Sequence, residues 1–585
     1  MKWVALISLI FLFSSATSKN LKRFARDAEH KSEIAHRFND LQEDTFQKVA
    51  LITFAQYLQK CSFDELAKLV KDVVDLAHKC VANEDAEGCT KSLPAIFLDE
   101  ICEVPALGEK YGAMADCCAK DDPERNKCFL KFKTNDPPFI QPYQRPEPDA
   151  LCKDFTDNKQ SFLEHYLYQV ARRAPFLYAP ALLALGVDYE HVIEACCAET
   201  EIGTCLDEKV LRFSIKLNSR QVYACGILDK FGERVFQAER LALISQKYPK
   251  APFAEVHKIV QDLKGIYKEC CDGDMVECMD DRAELMTYIC SKQEQLSSKI
   301  HHCCEKPVVE RSQCIIEADF DDKPEDLPPI GDKYIHSPDV CGHFEAAHDV
   351  FLAEFLFEYG RRHPEFSTQM LLRIAKLYED TLGKCCKTES PSECYAEERL
   401  IQEHIQETKV LVKTNCDLLT QGGEFNFQKE VLIRYTKKMP QVSTQTLLEL
   451  AKTMTAIGVK CCHEPEEKHI PCSEGRLSIV IQEMCKKQET TPINDQVAHC
   501  CDDSYSERRP CFTKLGVDEK YTPPPFDPAM FNFDDKLYLC FLINYRPCFS
   551  AMLDKCCKVE DHDTCFGEEG ANLIVESRAT LGIGN

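Results

Sequence analysis

Residues 270–278 read CCDGDMVEC: two adjacent cysteines, a third after six more positions, and three acidic side chains among them. Three chemistries fit those residue types. Thiolates with nearby carboxylates can hold a divalent metal, a cysteine pair of lowered pKa can run thiol–disulfide exchange, and oxidised cysteines can staple helix ends together.

Repetition decides between them. Adjacent cysteine pairs recur at Cys117/Cys118, Cys196/Cys197, Cys270/Cys271, Cys303/Cys304, Cys385/Cys386, Cys461/Cys462, Cys500/Cys501 and Cys556/Cys557. Each is followed by one more cysteine after seven or nine residues, or six in the opening stretch, and the intervening side chains differ, as in CCAKDDPERNKC and CCKTESPSEC. Lone cysteines stand at regular distances upstream, with 43 or 44 residues between Cys152, Cys225, Cys341 or Cys416 and its pair, and 12 or 14 for Cys102, Cys290 and Cys485. Vicinal cysteines seldom bond to each other, because the tight ring strains the intervening peptide. The simplest wiring joins the lone cysteine to the second of the pair and the first of the pair to the cysteine that follows. It predicts Cys102–Cys118, Cys117–Cys128, Cys152–Cys197, Cys196–Cys205, Cys225–Cys271, Cys270–Cys278, Cys290–Cys304 and Cys303–Cys314. Further along it predicts Cys341–Cys386, Cys385–Cys394, Cys416–Cys462, Cys461–Cys472, Cys485–Cys501, Cys500–Cys511 and Cys556–Cys565, with Cys557 paired to Cys540 or Cys548. The pattern is a period of roughly 190 residues read three times.

Thirty-six cysteines imply an oxidising compartment. The first residues, MKWVALISLIFLFSSATS, have a basic start, a short apolar run and small residues at the end, so 1–18 are expected to be a secretory signal. Arg23 and Arg26 form an R-x-x-R step, and 19–26 are expected to be a propeptide. No later apolar stretch is long enough to span a bilayer, so a secreted chain without membrane insertion is expected. A net charge of −25 disfavours nucleic acid and anionic membranes and favours solubility at high concentration. No N-x-S/T sequon occurs, and Trp3 is the single tryptophan.

The elements that must position the cysteines read as helices. In SFDELAKLVKDVVDLAHKC, Ser62 and Glu65 form a capping-box pattern, and Phe63, Leu66, Leu69, Val70, Val73 and Leu76 recur at three- and four-residue spacing. Pro175, Pro249, Pro364 and Pro440 each lie 21 residues before the first cysteine of a pair, where proline is expected to occupy the first turn of a helix. No alternating strand pattern competes, so the predicted class is all-α. One place breaks the repeat: Cys540 precedes Cys556 by 16 positions and Pro547 precedes it by nine, leaving roughly 28 residues missing. Either the last subdomain is shortened near 540–556 or an exon is missing from the gene model.

The double-cysteine period, the segments DAEHKSEIAHRF and RYTKKMPQVSTQTLLELAKTM, and the ending FGEEGANLIVESRATLGI resemble the serum albumin family over the whole chain apart from the shortened stretch. The resemblance implies three homologous helical domains, each of two subdomains: 27–220, 221–412 and 413–585. It also implies a plasma protein that acts as a monomer, carries long-chain fatty acids and other lipophilic anions, and sustains colloid osmotic pressure. A bridge Cys80–Cys89 is expected with it, and Cys61, in YLQKCSFDEL, matches the family's free thiol. The unpaired Cys61 and the missing sequons weigh against an alpha-fetoprotein- or afamin-like carrier, which stays as the alternative.

Carried over residue by residue, the resemblance implies a third-domain head-group clamp at Arg434, Tyr435, Lys438 and Arg509, with Thr513 supplying a hydroxyl. Tyr178, Arg282 and Ser312 match a site bridging the first two domains, and Arg145 and Tyr189 a first-domain site. Any of these taken singly also reads as an ordinary structural residue. Elsewhere the chain departs from the family. Glu239 stands where mammalian relatives place tryptophan, and the basic lining there is reduced to Lys247. The family's zinc site keeps Asn126 and Asp274, but its histidine positions hold Pro94 and Asp272, so no metal or cofactor is expected. His30 is fourth from the expected mature start, where a copper site needs histidine third. No G-x-S-x-G, H-E-x-x-H or phosphate loop appears, so an enzyme is not expected. Thiol chemistry at Cys61 or acylation of Tyr435 by activated esters is the alternative activity.

Overall fold

The computed structural model describes residues 31–135, 137–141, 146–199, 201–395 and 399–523, with short pieces between 555 and 569. The leader and propeptide positions, His30, Arg145, Cys540, Cys548, Cys557 and the shortened stretch lie outside the described residues. Every regular element among the described residues is helical. None of these helices is long and apolar enough to cross a membrane. The chain forms two compact units, residues 1–517 and 518–585; the second contains the bridge Cys556–Cys565.

Helix Phe63–Ala82 shows how the elements arise. Ser62 Oγ accepts from the Glu65 amide at 3.3 Å while the Glu65 carboxylate accepts from the Ser62 amide at 2.6 Å, so the start is capped in both directions. One face, Leu66, Val73, Val74, Ala77 and Cys80, is buried. Burying each large side chain of that face is worth about 1.5–3 kcal/mol, which is what holds the helix. The first two repeats share one apolar core that includes Phe54, Phe97, Phe129, Phe236 and Phe357. The third repeat builds its own around Met439, Leu447, Val497 and Phe512.

Prolines 175, 249, 364 and 440 do not start helices. The helices begin four residues later, at Ala179, Phe253, Thr368 and Thr444. Each proline instead occupies the second position of a four-residue turn closed by a backbone hydrogen bond: Leu177 to Ala174, Ala251 to Tyr248, Phe366 to His363 and Val442 to Met439, at 3.1–3.2 Å. A fixed φ suits that turn position as well as it suits a helix start. Two of the four helices have their own side-chain cap after the turn, Ser367 accepting from Met370 and Ser443 from Thr446; those starting at Ala179 and Phe253 have none.

Two long helices join successive repeats, Ile202–Lys247 and Arg399–Lys438. Each is broken by a glycine, Gly232 at φ 79° and Gly423 at φ 74°, a conformation that side chains with a Cβ rarely adopt. Both glycines lie seven residues after a lone cysteine, Cys225 or Cys416, so the break is part of the repeat.

Sixteen disulfides are formed among the described residues, with Cα separations of 5.0–5.7 Å. At CCDGDMVEC the bridges are Cys225–Cys271 and Cys270–Cys278. They fasten the end of helix Phe253–Asp272 to the long helix before it and to helix Met275–Ser291 after it.

Candidate functional site

The staple at CCDGDMVEC fixes two helices that carry a cluster of cationic and phenolic side chains. Arg282 comes from helix Met275–Ser291, Tyr267 from helix Phe253–Asp272, Ser312 from helix Val308–Glu317, and Tyr178 immediately precedes helix Ala179–Cys197. Arg282 Nε donates to Ser312 Oγ at 2.8 Å, and its guanidinium lies 4.6 Å from the centre of the Tyr178 ring and 5.8 Å from that of Tyr267. The structure therefore brings Tyr178, Arg282 and Ser312 together. Burial pushes the Tyr178 phenol up, against the pull of Arg282.

Arg240, on the long helix Ile202–Lys247, closes the other side, 5.1 Å from the centres of both the Phe236 and Tyr267 rings. Its Nε faces Oε2 of the buried Glu239 at 3.2 Å, an ion pair without hydrogen-bond geometry. The basic lining is thus not reduced to Lys247. That ammonium is spent on the carbonyls of Ile316 and Ala318, at 3.0 and 2.6 Å, and Arg240 supplies a cation instead. A charged pair inside the apolar run FQAERLALI was the signal that could have found it.

In the third repeat the expected clamp is only partly assembled. Arg434 pairs with Glu430 at 3.7 Å beside Tyr435, and the Lys438 ammonium lies 5.8 Å from the Tyr435 ring while donating to the carbonyls of Phe512 and Thr513. Burial, then Arg434, pushes Lys438 down; burial pushes Tyr435 up. Arg509 turns elsewhere. Its Nε donates to Glu474 at 2.8 Å and it also reaches Thr408, while the Thr513 hydroxyl donates to the Arg509 carbonyl. Glu474 is shared with Arg373, at 2.8 Å, so an Arg–Glu–Arg triad is buried where helices Thr368–Cys385, Glu466–Thr490 and Arg508–Lys514 meet. Burial would raise Glu474, but the two guanidinium groups outweigh it and hold its carboxyl at about 2.

Tyr189, in the first repeat, is buried with its ring stacked on Tyr166 at 3.8 Å and 8°. Tyr166 carried no sequence signal beyond an aromatic at helical spacing.

The two remaining zinc positions bond to each other. Asn126 Nδ2 donates to Asp274 at 2.7 Å, and the Tyr57 hydroxyl donates to Asn126 at 3.0 Å. Beside them Lys133 is buried, its ammonium 2.7 Å from the Gly273 carbonyl and 3.9 Å from the Tyr57 ring centre. Burial pushes it down to about 7, with Asp274 pulling the other way. An amide, a carboxylate and an ammonium do not fit zinc. His302, Cys303 and Cys314 come within 4.8 Å of one another, but the two sulfurs are joined as a disulfide and offer no thiolate.

Cys61 is buried, and the Tyr111 hydroxyl reaches its sulfur at 3.4 Å. Burial raises its pKa, opposed by Tyr111 and Lys110.

The family model of the serum albumin family matches residues 33–206, 223–395 and 414–540. The chain belongs to the serum albumin family. It is 61% identical to albumin from Gallus gallus, with all of both chains covered, and 46% identical to albumin from Oryctolagus cuniculus. The alignment to the Gallus gallus protein runs over 614 positions, more than the 585 of this chain, so this chain lacks residues that its relative carries. Among solved structures, human afamin is similar with a TM-score of 0.75 and 36% identity, covering 92% of this chain and 97% of that one. A second afamin structure, at TM-score 0.65 and 37% identity, is titled for binding of a gadolinium contrast compound and covers 84% of this chain and 94% of that one.

Proposed function

We propose that this chain is a secreted plasma carrier that binds long-chain fatty acids and other lipophilic anions as a monomer and contributes to colloid osmotic pressure. The observation that carries the reading is the Arg282 guanidinium, held between the Ser312 hydroxyl and the Tyr178 ring. A carboxylate head can take charge-assisted hydrogen bonds from such a group, while the alkyl tail gains about 0.8 kcal/mol for each methylene it buries. Arg434, Tyr435 and Lys438 form a second candidate clamp, and Tyr189 with Arg145 a third. The binding of a small compound named for afamin supports a carrier role. A net charge of −25 supports the osmotic one, since counterions accompany a charged solute. The domain boundaries that go with the reading are 27–220, 221–412 and 413–585.

The test is calorimetric titration of delipidated protein with palmitate, beside extraction and mass spectrometry of the native protein. Arg282→Met is expected to remove or weaken about tenfold one palmitate site. Protein that carries no fatty acid when purified and binds none at micromolar concentration would overturn the carrier reading.

A further inference from the structure

Residues 301–304 read HHCC, and the second histidine stands against a disulfide. His302 Nε2 lies 3.4 Å from Cys303 Sγ and 3.4 Å from Cys314 Sγ, the two sulfurs of one bridge. Among the described residues this is the one bridge with a histidine gathered against both sulfurs. Cys500–Cys511 is its match elsewhere in the chain: it spans the same 11 positions and His499 precedes its doublet, yet no such group forms there. Joined sulfurs ligate no metal, but a disulfide is an electrophile toward thiolates, and its rate of exchange depends on which sulfur is attacked and how well the other leaves. Access differs between the two. Cys314 is half-buried beside the exposed His302, whereas Cys303 is buried in the apolar core. Attack on Cys314 therefore expels a thiolate into surroundings that disfavour charge. A proton delivered from His302 removes that charge, and histidine is the side chain that holds and releases a proton near neutrality. Cys304 stays bridged to Cys290, and Ser312 and Ile315 keep helix Val308–Glu317 seated, so the bridge can open on a folded chain.

We propose that Cys303–Cys314 is a thiol-exchange site at which a small-molecule thiol becomes attached to Cys314, with His302 as the general acid. The incoming thiolate, its proton already lost to solvent, attacks Cys314 Sγ and forms a new S–S bond. The Cys303–Cys314 bond breaks and its electron pair goes to Cys303 Sγ, which takes the proton from His302 Nε2 and leaves a neutral imidazole. The small thiol's sulfur is oxidised as that of Cys303 is reduced, one S–S bond replacing another, so no further oxidant or reductant is required. The reverse step uses the same groups. Neutral His302 accepts the Cys303 proton, Cys303 attacks Cys314, and the bridge closes as the small thiol departs. His302 is a catalytic residue here, since it touches both reacting sulfurs.

The experiment incubates the full-length chain, carrying Cys61→Ser so that its free thiol does not compete, with excess glutathione. Samples are quenched over time with N-ethylmaleimide and mapped by non-reducing tryptic mass spectrometry. The expected product carries glutathione on Cys314 and maleimide on Cys303, and it forms about tenfold or more faster than any product at Cys500–Cys511. His302→Gln is expected to slow exchange at Cys303–Cys314 by about tenfold and to leave Cys500–Cys511 unchanged. In His302→Ala, added imidazole should restore part of the lost rate, a rescue that a purely structural role for His302 does not produce. Equal rates at the two bridges, glutathione on Cys303 and not on Cys314, or an undiminished rate in His302→Gln would each overturn the proposal. A His302→Ala rate that is low and does not respond to imidazole would overturn the role of His302 as the acid.

Discussion

The Lys133 ammonium donates to the Gly273 carbonyl at 2.7 Å, so a buried charge from the first repeat is tied to the CCDGDMVEC loop of the second. The bond pairs the ammonium with a neutral dipole, and Asp274 is the charge that compensates it. The arrangement costs most below neutrality, and the cost fades only as pH rises toward the value of a free lysine.

Lys133 makes stability depend on pH in a stated direction. Its folded pKa, about 7, lies below the value of 10.5 for a free lysine, so between those values the unfolded chain binds more protons. Stability from this group is therefore fully present above the unfolded value and is lost as pH falls through about 7, at up to about 1.4 kcal/mol per pH unit in that window. Urea unfolding from pH 7 to pH 10 should show this slope in the wild type and lose it in Lys133→Met. An unchanged slope in the variant would mean that Lys133 is not the titrating group.

Glu474 acts in the same direction, but in an acid window. Its folded pKa, about 2, lies below the ordinary 4.5, so the stability it contributes is present above the unfolded value and disappears as pH falls through about 2. Glu474→Gln leaves Arg373 and Arg509 buried without a carboxylate, which should cost about 3–5 kcal/mol at pH 7. At pH 2 the variant and the wild type should nearly converge. Equal destabilisation at both pH values would point to packing rather than charge.

Gly232→Ala and Gly423→Ala should each cost about 1–2 kcal/mol, because a Cβ meets nothing within 4 Å at either position and only the backbone conformation resists. Gly265→Ala, inside helix Phe253–Asp272 and equally uncrowded, should instead stabilise by about 0.5–1 kcal/mol. Thermal unfolding of the three variants separates the two effects by sign.

Cys61 should react slowly. With burial raising its pKa, the rate of reaction with a disulfide reagent is expected to be still climbing at pH values above about 8.5, where a free cysteine has begun to level off. Cys61→Ser should remove one equivalent from the fast-titrating thiols counted after unfolding. A plateau below pH 8 in the native protein would contradict the buried environment.

What could be read from the sequence depended on how local the cause is. Seven of the eight cysteine doublets carry their pairing in two spacings, and the capping box at Ser62 and Glu65 is complete within four residues, so both are legible. The four prolines read as helix starts because turn and helix make the same demand on φ, and the turn's backbone hydrogen bond, which separates the two, leaves no mark in the sequence. Gly232 and Gly423 give no signal of a break, because the helical pattern continues on both sides and a lone glycine is tolerated there. The site was harder still. Arg509 was grouped with Lys438, but its partner Glu474 lies 35 residues away and the third member, Arg373, 101 beyond that. Arg240 and Tyr267 have no motif between them; they meet only because the bridges and the shared core bring their helices together.

The two bridges at Cys270 and Cys271 also determine how the chain would carry tension. A pull entering at Cys225 crosses to Cys271, steps back one peptide to Cys270 and leaves at Cys278, bypassing residues 226–269. At about 3.4 Å for each extended residue, those 44 residues hold roughly 150 Å of hidden length. Shear can melt the helices inside the loop without lengthening the molecule, and the slack becomes available only when a reductant opens the bridge.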